Sequence, residues 1–254
     1  MNIEWDAEGY KRDFSFVHQY GEDVLGLIEG GTEQRIVDLG CGNGALTKKL
    51  AEKGFSVMGI DASEDMLKLA RQQYPELTFR QGDALTFTLE EKVDVIFSNA
   101  VFHWIDGEKQ EQLLQNIASQ LKPGGQLVCE FGGKGCAEHV HAMLESCFAE
   151  RGLSYRRVFY FPTIGEYAPI LEKCGLRVEY AVLFDRPTPQ KTEDGLRNWI
   201  HMFVKEPFQG IGEETKEEII QETVDKLRPV LYHDSTWIVD YVRIRIRARR
   251  QPEV

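Results

Sequence analysis

The stretch Ile36-Val-Asp-Leu-Gly-Cys-Gly-Asn-Gly-Ala45 passes from a short apolar run into three glycines at alternate positions. Such a run, bounded by glycines, reads as a buried strand over Arg35–Leu39. Leu46–Lys53 follows as a helix stopped by Gly54. Strand, glycine loop and helix in that order open a doubly wound α/β domain, in which ligands sit beyond the carboxyl ends of the strands.

The alternation continues outward from this unit. Ser56–Ile60 reads as a second strand and Ser63–Tyr74 as a second helix, with Ser63 as N-cap and Glu64 and Asp65 suiting the positive helix end. Further strands are expected at Leu77–Gln81, Val93–Asn99, Gln126–Phe131, Arg177–Phe184 and Trp237–Ala248. Helices are expected over 14–28, over 107–121, on the face Val140, Met143, Leu144, Cys147 and Phe148, over Ile164–Cys174, and around Glu193–Phe203 and Glu213–Leu231. Lys122-Pro-Gly-Gly125 reads as a tight turn. Seven strands alternating with helices imply an α/β, doubly wound, mostly parallel sheet covered on both faces. Nothing divides the chain, so residues 1–254 read as one domain. Its parts are an N-terminal helical lid over 1–33, a ligand-binding half over 34–131 and a helical cap over 186–235 inserted before the last strand.

Composition narrows the class. The 254 residues carry 41 acidic against 30 Lys+Arg residues, a formal charge of −11, which disfavours a protein whose task is gripping nucleic-acid phosphates. No apolar run approaches the roughly 20 residues of a membrane span. Met1–Asp6 has no basic start leading into an apolar stretch, so no secretory signal is expected. Five cysteines without a Cys-x-x-Cys point to reduced thiols and a cytoplasmic setting. His139 and His141, two apart on a helix, point in different directions, and no metal site is expected.

Charge also decides between ligands for the glycine loop. Gly40-x-Gly42-x-x-Ala45 fits a dinucleotide fingerprint, but a pyrophosphate at the following helix would meet the carboxylate of Asp38. An ammonium group would be welcomed there. Asp61, 23 positions after Asp38, can accept from two ribose hydroxyls, and Asp83 from an exocyclic amine. Three acids, with no arginine or lysine inside 38–46, describe a cationic nucleoside without phosphates. S-adenosylmethionine meets that description.

At these residues the sequence resembles the class I S-adenosylmethionine-dependent methyltransferases. The resemblance rests on Val37-Asp-Leu-Gly-Cys-Gly-Asn-Gly44, Gly59-Ile-Asp-Ala-Ser63 with Met66, Gly82-Asp-Ala84, Val93-Asp-Val-Ile-Phe-Ser-Asn99 and Leu121-Lys-Pro-Gly-Gly125. It implies that Asp38, Gly40, Cys41 and Gly42 line the methionine part of the cofactor. Asp61, with Ala62 and Met66 nearby, would hold the ribose, Asp83 and Ala84 would bound the adenine, and Asn99 would lie near the transferred methyl. Asn99-Ala-Val-Phe-His-Trp-Ile105 lacks the Asn/Asp-Pro-Pro-Tyr of nucleic-acid amine methylators. It is similar instead to the trans-aconitate and small-molecule carboxyl O-methyltransferase branch. Tyr10, with Trp5, would close over the cofactor from the lid.

The expected reaction is methylation of a small molecule, with a carboxylate oxygen as acceptor; nucleic-acid and membrane partners are not expected. His103, at the carboxyl end of the fourth strand, is the catalytic candidate, as general base or as hydrogen-bond donor. A carboxylate is already ionised at neutral pH and needs no base; a hydroxyl or amine would. Trp104 is placed as a wall of the acceptor pocket, Arg186 and Arg197 as arms reaching the acceptor's carboxylate, and Gly132-Gly-Lys-Gly135 as a turn beside it. The alternate arginines Arg243, Arg245, Arg247 and Arg249 read as the polar face of a strand. A non-catalytic S-adenosylmethionine-binding protein and an RNA methyltransferase are the competing readings.

Overall fold

Ile36, Val37 and Leu39 are all buried, which places the first strand, β1 (Arg35–Leu39), inside a sheet covered on both faces. A computed structural model describes residues 23–252 of the chain. After β1 come helix α1 (Ala45–Glu52), strand β2 (Ser56–Asp61), helix α2 (Glu64–Gln73), strand β3 (Thr78–Gln81) and strand β4 (Val93–Asn99). Helix α3 (Gln110–Gln120), strand β5 (Leu121–Gly132), helices α4 (Glu138–Glu150) and α5 (Ile164–Lys173) and strand β6 (Leu176–Gln190) follow. Helices α6 (Gly195–Phe203) and α7 (Glu213–Leu231), a two-residue strand β7 (Tyr232–His233) and strand β8 (Thr236–Arg250) complete the described residues. Of the helical lid expected over 1–33, residues 1–22 lie outside them.

Seven strands lie in the order β3-β2-β1-β4-β5-β8-β6, and β7 pairs with β8 off this path. β1 to β5 pair in parallel, whereas β8 runs antiparallel to both β5 and β6. Ile36, Val95, Phe97 and Val128 bury one face under Leu46 and Leu50 of α1, with Val24 and Leu25. Val37, Leu39, Ile96, Leu127 and Phe131 bury the other under Leu113, Leu114 and Ile117 of α3 and Tyr167 and Leu171 of α5. A separate core joins α4, α6 and α7 to Trp237, Val239 and Tyr241 of β8. The sheet is the expected doubly wound one, with β7 as an addition.

Three boundaries differ from the sequence reading. β6 runs to Gln190, which pairs with Trp237, so Arg186 belongs to a strand and the helical segment begins only after it. The strand also carries Pro187 and Pro189. Both lie on an edge strand, two residues apart, so neither need interrupt the ladder to β8. Lys122–Gly125 is not a free turn but an excursion within β5. Val93 faces Leu121 and Val95 faces Gln126, so four residues oppose Asp94. Asp94 anchors it, accepting from Lys122 Nζ at 2.8 Å and from the Arg35 N–H at 2.9 Å. The helix expected over 107–121 begins with a 3₁₀ turn and is α-helical only from Gln110.

Arg245, Arg247 and Arg249 of β8 meet acids of the chain. Glu130, 2% exposed, accepts from Arg186 Nη1 at 2.5 Å and Nη2 at 3.0 Å and from Arg245 Nε at 2.7 Å. Both guanidinium groups lie over the Phe184 ring, at 5.0 and 5.2 Å. Arg247 and Arg249 pair with Glu29 and Glu179. Removing one charge from a buried cluster leaves the others uncompensated. Glu130→Gln should therefore lower stability by about 3 kcal/mol in urea unfolding, the cost of breaking a buried ion pair. A loss below about 0.5 kcal/mol, the usual effect of a surface change, would show the cluster to be solvated.

Candidate active site

The strand order reverses at β1. The chain steps outward through β2 and β3, then returns to place β4 on the other side of β1. The carboxyl ends of β1 and β4 are therefore adjacent, and a cleft opens between their loops.

The glycine loop is built into one side of that cleft. Gly40 and Gly42 have φ of 77° and 54°, the left-handed region that glycine enters without strain. A Cβ on Gly40 would also lie 2.2 Å from Val101 Cγ2. The loop thus packs directly on the loop after β4. Gly40 and Cys41 N–H both donate to the Ile60 carbonyl, at 2.7 and 3.1 Å. Asp61 then joins loop to helix: its Oδ2 accepts from Gly42 N–H and its Oδ1 from Ser63 N–H, each at 2.8 Å. Ser63 caps α2 as expected, accepting from Met66 N–H, and Met66 packs beneath the loop.

Two buried carboxylates share this side. Asp38 Oδ2 accepts from Thr47 Oγ1 at 2.6 Å. Burial pushes the Asp38 carboxyl up to about 7, against the lowering effect of Thr47 and with a further push from Asp61. Burial likewise raises Asp61 above the usual carboxylate range, offset by its backbone donors. Such a pair invites a cation. Asp83 is exposed and turns the loop after β3, its Oδ1 accepting from Leu85 N–H. The carbonyl of Ala84 accepts from Asn116 Nδ2 at 3.0 Å. The structure thus gathers Asp38, Gly40, Cys41, Gly42, Asp61, Ala62 and Met66 around the first two strand ends, with Asp83 and Ala84 after the third. Tyr10 and Trp5 lie outside the described residues.

Across the cleft, β4 ends at Asn99, and Ala100 takes φ of 62°, a strained value for a residue with a side chain. The turn feeds a 3₁₀ segment, Phe102–Trp104, that carries His103. Buried Gln110 fixes this segment, donating from Nε2 to the carbonyls of Phe102 and Ile105 at 2.9 and 2.7 Å. Tyr167 Oη donates in turn to Gln110 Oε1.

His103 opens onto a pocket lined by Ala100, Trp104, Cys136, Phe159, Phe161, Trp199, Phe203, Tyr241 and Arg243. The Trp104 and Phe159 rings lie 4.7 Å apart, and Phe159 stacks on Phe161 at 5.2 Å. Trp199 Nε1–H donates to Tyr241 Oη at 2.5 Å. His103 Nδ1 accepts from Gly132 N–H at 3.1 Å. Burial, reinforced by Arg243, pushes the imidazole well below its ordinary value. The ring is therefore neutral, and because Nδ1 is an acceptor, its one proton sits on Nε2. That arrangement donates a hydrogen bond; it has no free lone pair with which to act as a base.

Of the residues placed at the acceptor, His103 and Trp104 line this pocket. Arg186 and Arg197 do not. Arg186 is held by Glu130 across the sheet, and Arg197 pairs with Glu217 at 2.5 Å and with Gln221. Their number and sign suggested reach, but each already has an acid within its own packing layer. The positive group in the pocket is Arg243. It is 9% exposed, its guanidinium lies 4.7 Å from the Tyr241 ring centroid, and its buried Nε has no hydrogen-bond partner among the described residues. Its signal in the sequence was parity: Trp237, Val239 and Tyr241 occupy the apolar face of β8 that Arg243 continues.

Heteronuclear NMR tests the histidine directly. His103 should remain neutral through the ordinary titration range of histidine, with Nε2 protonated in long-range ¹⁵N–¹H correlations. A midpoint near 6.5 or an Nδ1–H tautomer would restore it as a base.

Comparison with known proteins agrees with this geometry. Residues 36–125 match a family described as "Methyltransferase domain". The chain is 30% identical to an uncharacterized methyltransferase of Schizosaccharomyces pombe over 97% of this chain and 98% of that one. It is 33% identical to a trans-aconitate 2-methyltransferase of Methylobacterium nodulans over 129 residues, about half of each chain (50% and 49%). In fold it resembles phosphoethanolamine N-methyltransferase 2 of Haemonchus contortus, solved with phosphomonomethylethanolamine and S-adenosylhomocysteine. The TM-score is 0.60 at 18% identity, covering 97% of this chain and 57% of that one. Identity sustained along nearly the whole of two chains establishes kinship, and the chain belongs to the class I S-adenosylmethionine-dependent methyltransferases.

Proposed function

We propose that this enzyme methylates a small molecule at a carboxylate oxygen. The observation that carries the reading is Arg243, a buried guanidinium facing an aromatic pocket beside the carboxyl end of β4, its Nε without a partner and no carboxylate on it among the described residues. Lys and Arg are almost never buried unless paired. An anionic acceptor supplies the missing partner.

The residues at the β1–β2 side fit S-adenosylmethionine. Asp38 is suited to its ammonium group. Asp61 spends one lone pair of each oxygen on backbone N–H groups, which leaves the others for ribose hydroxyls. The glycine loop allows close approach, and Asp83 with Ala84 bounds the base. When bound, the cofactor offers a methyl carbon on positive sulfur; a carboxylate oxygen supplies the pair for the new C–O bond, the C–S pair returns to sulfur, and no proton moves.

That last point agrees with His103. An amine or hydroxyl acceptor has to lose a proton, and the lone pair of His103 Nδ1 is committed to Gly132. A carboxylate makes no such demand. The protein's work is then orientation and exclusion of water.

Two measurements test this reading. A panel of carboxylic acids, phenols and amines, assayed for S-adenosylhomocysteine release with the product identified by mass spectrometry, should yield alkali-labile methyl esters. Turnover confined to amines or phenols would overturn it. Secondly, Asp38 is protonated below about pH 7 in the free protein, and an ammonium beside it favours the ionised form. Binding below pH 7 should release a proton, and affinity for S-adenosylmethionine should rise about tenfold between about pH 5.5 and pH 7. Calorimetry in buffers of different ionisation enthalpy reads both. Affinity that is flat over this range would remove Asp38 from contact with the ammonium group.

A further inference from the structure

Building on the carboxylate reading, we propose that the acceptor carries a single carboxylate on an apolar body, and that Arg243 and the Nε2–H of His103 hold that carboxylate together. Only Ala100, His103 and Trp104 of the pocket fall within residues 36–125, the part matched by the family. The rest of the described lining comes from Cys136, the 159–161 segment, α6 and β8, so the acceptor specificity of this chain is written mostly outside the shared cofactor half.

The lining decides how many charges the pocket can take. Arg243 is the one cationic side chain among the described lining residues, and around it stand the rings of Trp104, Phe159, Phe161 and Trp199. The next arginine along the same face of β8, Arg245, is bound by Glu130 and cannot turn inward without stripping that buried acid of a partner. A second or third carboxylate on the ligand would therefore sit against aromatic carbon with no counter-charge, losing its hydration for nothing. An apolar body would instead gain the burial that these rings offer.

The donors match one carboxylate in the same way. A guanidinium presents its N–H groups in a fixed planar fork suited to two oxygens. His103 adds one neutral N–H: its Nδ1 is held by Gly132 and its ring is kept uncharged by burial among Trp104, Phe159 and Phe161. Trans-aconitate, the acceptor named for the Methylobacterium nodulans relative, carries three carboxylates, and the described lining offers charge for one.

The test uses the full chain with S-adenosylmethionine for turnover and S-adenosylhomocysteine for binding. Trans-cinnamate and decanoate serve as apolar monocarboxylates, trans-aconitate as the polycarboxylate and cinnamamide as the neutral isostere of cinnamate. At least one monocarboxylate should exceed trans-aconitate by about tenfold or more in kcat/KM and in calorimetric affinity, and cinnamamide should bind at least about tenfold more weakly than cinnamate, the size of one charge-assisted contact. Arg243→Met should raise KM for the preferred acid about 10- to 100-fold with affinity for S-adenosylmethionine unchanged, and Arg243→Lys should recover part of the loss. His103→Asn, which can keep an acceptor for Gly132 N–H but is too short to reach the pocket, should raise KM without changing the pH dependence of kcat.

If neither monocarboxylate surpasses trans-aconitate, the single-charge inference falls while carboxylate methylation stands. If no acid is methylated but amines or phenols are, the carboxylate reading falls with it. Equal binding of cinnamate and cinnamamide to the unmodified protein would remove the clamp without recourse to any variant. A folded Arg243→Met protein with unchanged KM would do the same.

Discussion

The reversal of strand order at β1 is the constraint on which the rest of the structure depends. Parallel strands joined by right-handed crossovers can extend a sheet in only one direction at a time. When the chain turns back from β3 to β4, the loops after β1 and β4 leave the sheet side by side. Here the loops are 40–44 and 100–105, and they are locked together where Gly40 meets Val101. A rigid seam between a cofactor loop and an acceptor loop is what methyl transfer requires, because the rate depends on holding two reacting atoms in line.

Charge is partitioned across that seam. Asp38 and Asp61 are both buried on the β1–β2 side, and burial raises both carboxyls. Each raised carboxyl is a free-energy cost in the empty protein that a cation relieves on binding. On the other side stand a neutral histidine and an arginine. The two halves are therefore complementary to a ligand pair of opposite sign, a cation beside the glycine loop and an anion beside β8. Exchanging the two ligands would set like charges together on both sides. The arrangement orders the reactants before any chemistry occurs.

How much of this was legible in the sequence follows from how local each signal is. The glycine loop, Asp38 and Asp61 lie within about one βαβ unit, where chain order and spatial order coincide, and the Ser63 cap is settled by three consecutive residues. The acceptor pocket draws on residues 100 to 243, joined only by the pairing of β5, β8 and β6. No spacing rule connects Phe159 to Trp199 or Arg243, so those rings were unreadable. Arg186 and Arg197 were chosen by sign and by their place in the expected cap, which cannot show that Glu130 and Glu217 already hold them. The choice between base and donor for His103 stayed open in the sequence for a related reason: which ring nitrogen bears the proton is set by Gly132, 29 residues away.

Arg243 is best understood through its neighbours on β8. Four arginines alternate along one face, and three of them meet acids of the chain: Arg245 has Glu130, and Arg247 and Arg249 have Glu29 and Glu179. The protein thus neutralises the half-buried cations on this strand wherever stability alone is at issue. Arg243 sits where the same face passes beneath the helical segment, between Tyr241 and the acid-paired arginines, and no acid of the described chain faces it. Its contact with the Tyr241 ring offsets only part of the cost of burial. A cost left uncompensated beside three that are compensated marks a site kept for a ligand, since a methionine or leucine there would continue the apolar face of Trp237, Val239 and Tyr241 at no such cost. The departure from the rule that governs its own strand is the physical reason behind the proposal that an anionic acceptor meets this residue.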